Sequence, residues 1–131
     1  NGAKAPDSIM VDGSQLSLGS GRAFLYFFDP ECSHCLMAGR ELAKHKWPSD
    51  IALIAVPTVN PQFAKGFLQD TGMEKKFRIS TDLEKLKAAF PFTAGPYAVA
   101  VEHGHQKQSF LQFEAAEPAA TLKKIGFIAN E

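Results

Sequence analysis

The sequence predicts a single α/β domain over residues 1–131: a central mixed β-sheet flanked by helices, with an N-terminal β-hairpin extension. Three observations carry that expectation. Residues 23–28 (AFLYFF) and 51–56 (IALIAV) are apolar at every position, as strands buried on both faces are. A helical pattern lies between them, so strand, helix and strand form one right-handed parallel crossover. After Gly95-Pro96, two strand-like runs follow each other across a short turn and should pair antiparallel.

The elements follow in order. Residues 11–18 (VDGSQLSL) read as a short hairpin around Asp12-Gly13, a strong turn signal. The aromatic-rich run 23–28 is the expected central strand, interrupted by Asp29 and Pro30. Residues 35–44 (CLMAGRELAK) place Leu36, Gly39 or Arg40, and Ala43 at helical spacing, and the strand 51–56 follows. Residues 61–68 (PQFAKGFL) open with a proline suited to a first helical turn, carry Phe63, Phe67 and Leu68, and stop near Gly72. Thr81-Asp82-Leu83-Glu84 fits a capping box ahead of Leu83, Leu86, Ala89 and Phe90, and Pro91 ends that helix. Strands are expected at 97–101 and 109–113 (SFLQF), joined by a turn at His103-Gly104-His105, and a last amphipathic helix at 118–125 (PAATLKKI).

Composition bounds the function. Hydrophobic residues make up 45% of the 131 and charged ones 21%, which is globular, and the eleven phenylalanines read mainly as core. Lys plus Arg and Asp plus Glu are both 14, with no block of either sign. Nucleic acid is therefore not the expected partner, since phosphate binding needs an excess of positive charge on one face. The longest apolar run is far short of the roughly 20 residues that span a bilayer. A start at Asn1 rather than Met raises the expectation of a processed or truncated chain whose signal or anchor lies outside the given sequence.

The chain has two cysteines, Cys32 and Cys35, directly after the apolar strand. As a structural staple the pair would do little, because the stabilisation a disulfide provides through the unfolded chain shrinks with the loop it closes. As half of a zinc or copper site it needs further ligands. His103 and His105 could supply nitrogens, although their spacing departs from the usual zinc pattern. As a redox dithiol it needs one exposed sulfur to attack and a second within reach to resolve, which a three-residue separation at a helix start provides. A strand that ends just before a helix puts Cys32 at the helix N-terminus, where free N–H groups and the helix dipole favour a thiolate.

In this context the chain resembles the thioredoxin superfamily, in particular its TlpA/ResA-like branch of extracytoplasmic thiol-disulfide oxidoreductases. The likeness rests on A5-P6-D7 with V11-D12-G13 and L16-S17-L18, on the strand leading into C32-S33-H34-C35, on the helix at 81–90, and on G95-P96 opening a strand pair. It implies that Pro96 is a cis-proline facing the cysteines, the alternative being an ordinary trans turn proline, and that Gly95, Pro96 and Tyr97 present backbone to an extended substrate peptide. Three positions depart from the pattern. Tyr26 stands where a buried acid is usual, six residues before the first cysteine; Glu31 replaces the preceding tryptophan; Arg40 replaces a helix proline. A peroxiredoxin reading fails, since its threonine and proline correspond to Asp29 and Leu25.

The histidine between the cysteines, His34, resembles that of DsbA-type oxidants. Beside a thiolate it raises the reduction potential by hydrogen bond or charge; facing solvent it does neither. The expectation is an oxidising or intermediate potential. His45 reads as a helix-end partner of the dipole, Trp47 as packing, Phe92 and Tyr97 as core or groove lining, and Met37 as core or facing the disulfide. The function expected is disulfide exchange with partner proteins: Cys32 attacks, Cys35 resolves and His34 tunes. No cofactor is expected beyond the redox-active Cys32–Cys35 disulfide, and no metal. Expected partners are protein thiols or disulfides and a membrane or soluble redox protein, the chain itself a monomer. The place is extracytoplasmic, periplasmic or tethered facing outward, with the cytoplasm as alternative. The rivals are a metal-handling module and an idle interaction domain of the same fold.

Overall fold

A computed structural model of the chain describes residues 2–130. Its elements are β1 (Ser8–Val11), β2 (Ser14–Ser17), β3 (Arg22–Phe28), α1 (Ser33–Lys44), β4 (Ile51–Pro57), α2 (Ala64–Thr71), β5 (Arg78–Ile79), α3 (Leu83–Ala89), β6 (Tyr97–Glu102), β7 (His105–Leu111) and α4 (Pro118–Lys124). Five strands form one mixed sheet in the order β5-β4-β3-β6-β7, and β1 and β2 form a separate hairpin. The apolar run 23–28 is the central strand, parallel to β4 and antiparallel to β6.

Alternation along β3 sorts the core into two layers. Phe24, Tyr26 and Phe28 point to one face, where they meet Ala38 and Leu42 of α1, Phe67 and Leu68 of α2, and Leu122 of α4. Leu25 and Phe27 point to the other, against Ile9 and Val11 of the hairpin and Leu86 of α3. Residues 24–28 are all 0% exposed, which accounts for the unbroken apolar run. Burying each such side chain contributes about 1.5–3 kcal/mol.

Several expectations are corrected. The last strand begins at His105 and ends at Leu111 rather than covering 109–113. Its first half is polar and largely solvent-facing, so hydrophobic alternation could not reveal it, and Gln112, with φ 43°, turns the chain out of the ladder. The capping box does not form: Asp82 is the N-cap of α3 but its carboxylate accepts the Met10 N–H at 2.6 Å, tying the helix to the hairpin. The helix expected at 61–68 is a 3₁₀ turn, Pro61–Phe63, running into α2 and closed by Gly72 at φ 81°. The two-residue β5 has no sequence signature. Among the described residues no helix is long and apolar enough to cross a membrane.

Register decides what lies near the cysteines. Phe27 pairs with Tyr97, Phe28 with Pro57, and Tyr97 with Leu111. The loop after β3, the segment before β6 and the segment after β7 therefore leave the sheet at one end. At the other end Arg22 pairs with Glu102, and Glu102 with His105.

Candidate functional site

Both cysteines are free thiols, Cys32 partly exposed and Cys35 buried. Cys32 is the N-cap of α1, with extended backbone (φ −96°, ψ 126°) and no side-chain cap. Its carbonyl accepts the Leu36 N–H at 3.0 Å, so the helix starts directly behind it. The first N–H groups of α1 thus open toward the Cys32 end. The preceding loop is shaped by Asp29, whose carboxylate accepts the Glu31 N–H at 2.9 Å, while Asn60 donates to Glu31 at 3.0 Å.

Cys35 lies one helical turn inside, 1% exposed. Its sulfur accepts the Asp29 N–H at 3.5 Å. Burial pushes its thiol up to about 12; that N–H pulls the other way, and the neighbouring Cys32 adds to the rise. Beneath it, the Tyr26 hydroxyl donates to the Cys35 carbonyl at 2.6 Å. Burial, and then the two sulfurs, push the Tyr26 phenol far above its ordinary range, so it is a donor at any physiological pH.

The Gly95–Pro96 peptide bond is cis. Gly95 lies against the buried sulfur: a β-carbon built on it would sit 3.5 Å from Cys35 Sγ and from the Phe27 carbonyl. Gly95 and Pro96 line a groove of about 140 Å³ with His34, Gln112, Phe113 and Glu114. A second depression of about 320 Å³ includes Pro30, Leu36, Phe63 and Phe67.

The residues singled out from sequence divide. Cys32, Cys35, His34, Gly95 and Pro96 come together. The Tyr97 side chain does not join the groove: it is buried at 3%, its ring stacked on Phe92 at 4.6 Å and tilted against Phe27 at 5.5 Å. His34 Nδ1 lies 3.6 Å from Glu114 Oε1, both side chains mostly exposed. Met37 is on the surface at 56% exposure. Trp47 packs on Phe24 at 4.9 Å and donates to the Leu42 carbonyl. His103 and His105 sit at the far end of the sheet, away from the cysteines. Among the described residues no three His, Cys, Asp or Glu side chains gather into a metal-binding group. Gln112, Phe113 and Glu114 were missed, because only the pairing of β6 with β7 brings them beside Pro96.

No family model matches the chain. No curated protein matches it either. Solved structures do. A candidate protein disulfide isomerase from Bacteroides thetaiotaomicron superposes with a TM-score of 0.74 at 22% identity, over 95% of this chain and 86% of that one. The thioredoxin domain of a thiol-disulfide oxidoreductase from Bacteroides vulgatus gives 0.71 at 15%, over 95% and 96%. A thiol:disulfide interchange protein from Bacteroides sp. gives 0.70 at 14%, over 95% and 88%. The chain therefore has a thioredoxin-like fold, with the N-terminal hairpin as an extension.

Proposed function

We propose that this chain is a thiol-disulfide oxidoreductase that exchanges disulfides with cysteines in extended segments of partner proteins. The observation that carries the reading is the inequality of the two sulfurs. Cys32 is reachable and stands at the open N-terminus of α1, while Cys35 is enclosed behind it with its thiol pushed up to about 12. At neutral pH Cys35 stays a thiol, and Cys32 is the sulfur placed to react as thiolate.

In the oxidising direction a partner thiolate attacks Cys32 of the Cys32–Cys35 disulfide. The S–S bond breaks, Cys35 leaves and takes up a proton, and a mixed disulfide joins Cys32 to the partner. A second partner thiolate then displaces Cys32, so the partner is oxidised by two electrons and the protein reduced. The reducing direction is the reverse. Gly95 and Pro96 precede the first ladder pair of β6 and offer backbone to the partner chain beside the sulfurs. His34, in the first turn of α1, borders the groove beside Gly95 and Pro96 opposite Glu114, where it can meet the partner chain. The disulfide is the only redox group this chemistry needs. A TlpA/ResA-like place outside the cytoplasm suits it, since oxidised partners persist there.

The test is the reduction potential of the pair, equilibrated against glutathione, with Cys32→Ser as control. A reversible two-electron transition above about −200 mV is expected. A value near or below about −270 mV would overturn the oxidising assignment, and no reversible transition would overturn disulfide exchange altogether.

A further inference from the structure

The segment after β7 reaches the site through a short series of local causes. Gln112, at φ 43°, turns the chain out of the ladder. Phe113 then packs inward, 5% exposed, its ring 6.1 Å from Tyr26 and 6.3 Å from Phe110. Glu114 follows, held through both its N–H and its carbonyl: the N–H donates to Glu117 Oε1 at 2.6 Å, and the Glu117 N–H donates to the carbonyl at 2.9 Å. Its side chain therefore leaves a fixed backbone and is 69% exposed. Phe113 does the packing and Glu117 closes the turn, so neither task explains a carboxylate at position 114.

That carboxylate lines the groove of about 140 Å³ with Gly95 and Pro96, and Gly95 lies against the Cys35 sulfur. On the other wall, His34 Nδ1 is 3.6 Å away, beyond hydrogen-bond length, so Glu114 Oε1 keeps its capacity to accept. No Lys or Arg lines the groove. Glu31, next to Cys32 in sequence, belongs to the other depression and is bonded by Asn60 at 3.0 Å. A partner chain laid along Gly95 and Pro96 in extended form sets alternate side chains on one face about 7 Å apart. A long basic side chain close to the partner's cysteine then reaches Glu114. The whole chain has 14 basic and 14 acidic residues, so attraction for a cationic segment at this place is local and not a consequence of net charge.

We propose that Glu114 is a specificity-determining residue of the exchange site, selecting partner segments that carry Lys or Arg within about three residues of the reacting cysteine. This rests on the exchange reading above and names the substrate class of that same site. An ion pair at an exposed edge changes a rate by about twofold to fivefold at low ionic strength and is screened by salt. Glu114 acts on the seating of the partner and leaves the sulfur chemistry itself unaltered.

The test uses the reduced protein and peptides whose single cysteine carries a 2-nitro-5-thiobenzoate group. The Cys32 thiolate attacks the peptide sulfur, the peptide–aryl S–S bond breaks, and the coloured aryl thiolate leaves with the electron pair. Cys35 then frees the peptide without further colour. One peptide has lysine two residues to either side of its cysteine, the other glutamate, with glycine and serine elsewhere. The quantity read is the ratio of the two second-order rates, in which a change of Cys32 reactivity cancels; comparing variants cancels the peptides' own reactivities. The lysine-to-glutamate ratio is expected to fall about twofold to fivefold in Glu114→Gln and further in Glu114→Lys. It should stay at the wild-type value in Glu74→Gln, which removes the same charge beside Asp50 and Ile51 at the opposite end of the sheet. A ratio unchanged by both Glu114 substitutions would overturn the proposal, as would an equal fall in Glu74→Gln. Absence of aryl thiolate release from either peptide by the wild type would instead overturn the exchange reading. Should the Glu114 variants fail to fold, salt decides on the wild type: the ratio must fall as ionic strength rises, and a ratio indifferent to salt overturns the proposal.

Discussion

Cys32 and Cys35 are the same residue type three positions apart, and the difference between them is environmental. One caps a helix at the surface; the other is sealed by Tyr26, Phe28 and Gly95. That difference has a measurable signature in stability. Burial raises the Cys35 thiol from 9.0 to about 12, so the folded state resists ionisation that the unfolded chain accepts. The resulting stability is fully present below about 9 and is lost as pH rises toward 12. The reduced wild type is expected to lose denaturant resistance across that alkaline interval more steeply than Cys35→Ala does. Equal slopes would mean that Cys35 is not the buried thiol described. His34 was legible as a residue of the site, but its partner was not: Glu114 belongs to the segment after β7, and the ring meets it across the groove.

At the scale of elements, α1 is the piece that must be placed accurately, since it carries both sulfurs. Its inner face packs Ala38 and Leu42 against the sheet. It also approaches α2 and the segment after it closely enough that a side chain at position 39 would have to push theirs aside. A β-carbon there would lie 2.9 Å from Met73 Sδ and 3.1 Å from Thr71 Cγ2. Glycine in mid-helix costs about 1 kcal/mol in propensity, so its presence here reflects contact rather than helix formation. Gly39→Val is expected to lower unfolding free energy by about 1–3 kcal/mol through overpacking, read from denaturant midpoints, with exposed Arg40→Ala as control. A neutral or stabilising Gly39→Val would contradict the close approach of α1 to Met73. Spacing alone left Gly39 and Arg40 as alternatives for the inner position, and only the neighbouring segment decides between them.

At the scale of the molecule, Arg22 fastens the end of the sheet remote from the cysteines. Its guanidinium bonds both Asp50 oxygens at 3.1 Å, reaches the Gly126 carbonyl at 2.8 Å and lies over the Phe127 ring at 5.1 Å. Three distant parts of the chain meet there. The Arg22 hydrogen bond holds the Asp50 carboxyl below its ordinary 3.8, so its contribution is present above that range and disappears as pH falls through the lowered value. Asp50→Asn is therefore expected to flatten the acid side of the melting-temperature profile and leave the neutral-to-alkaline side parallel to wild type. An unchanged acid limb would remove Asp50 from that role. What the sequence by itself determined is the order of the main elements and the place of the cysteine pair, because apolar runs, turn residues and a Cys-x-x-Cys at a strand-to-helix junction are local signals. The tertiary structure alone decided what encloses Cys35, that Tyr97 faces the core, that Asp82 binds the hairpin instead of capping its helix, and that Gln112 to Glu114 border the site. Those outcomes follow from strand register and from the two faces of β3, which join residues far apart in the chain and leave no trace in the spacing of either one.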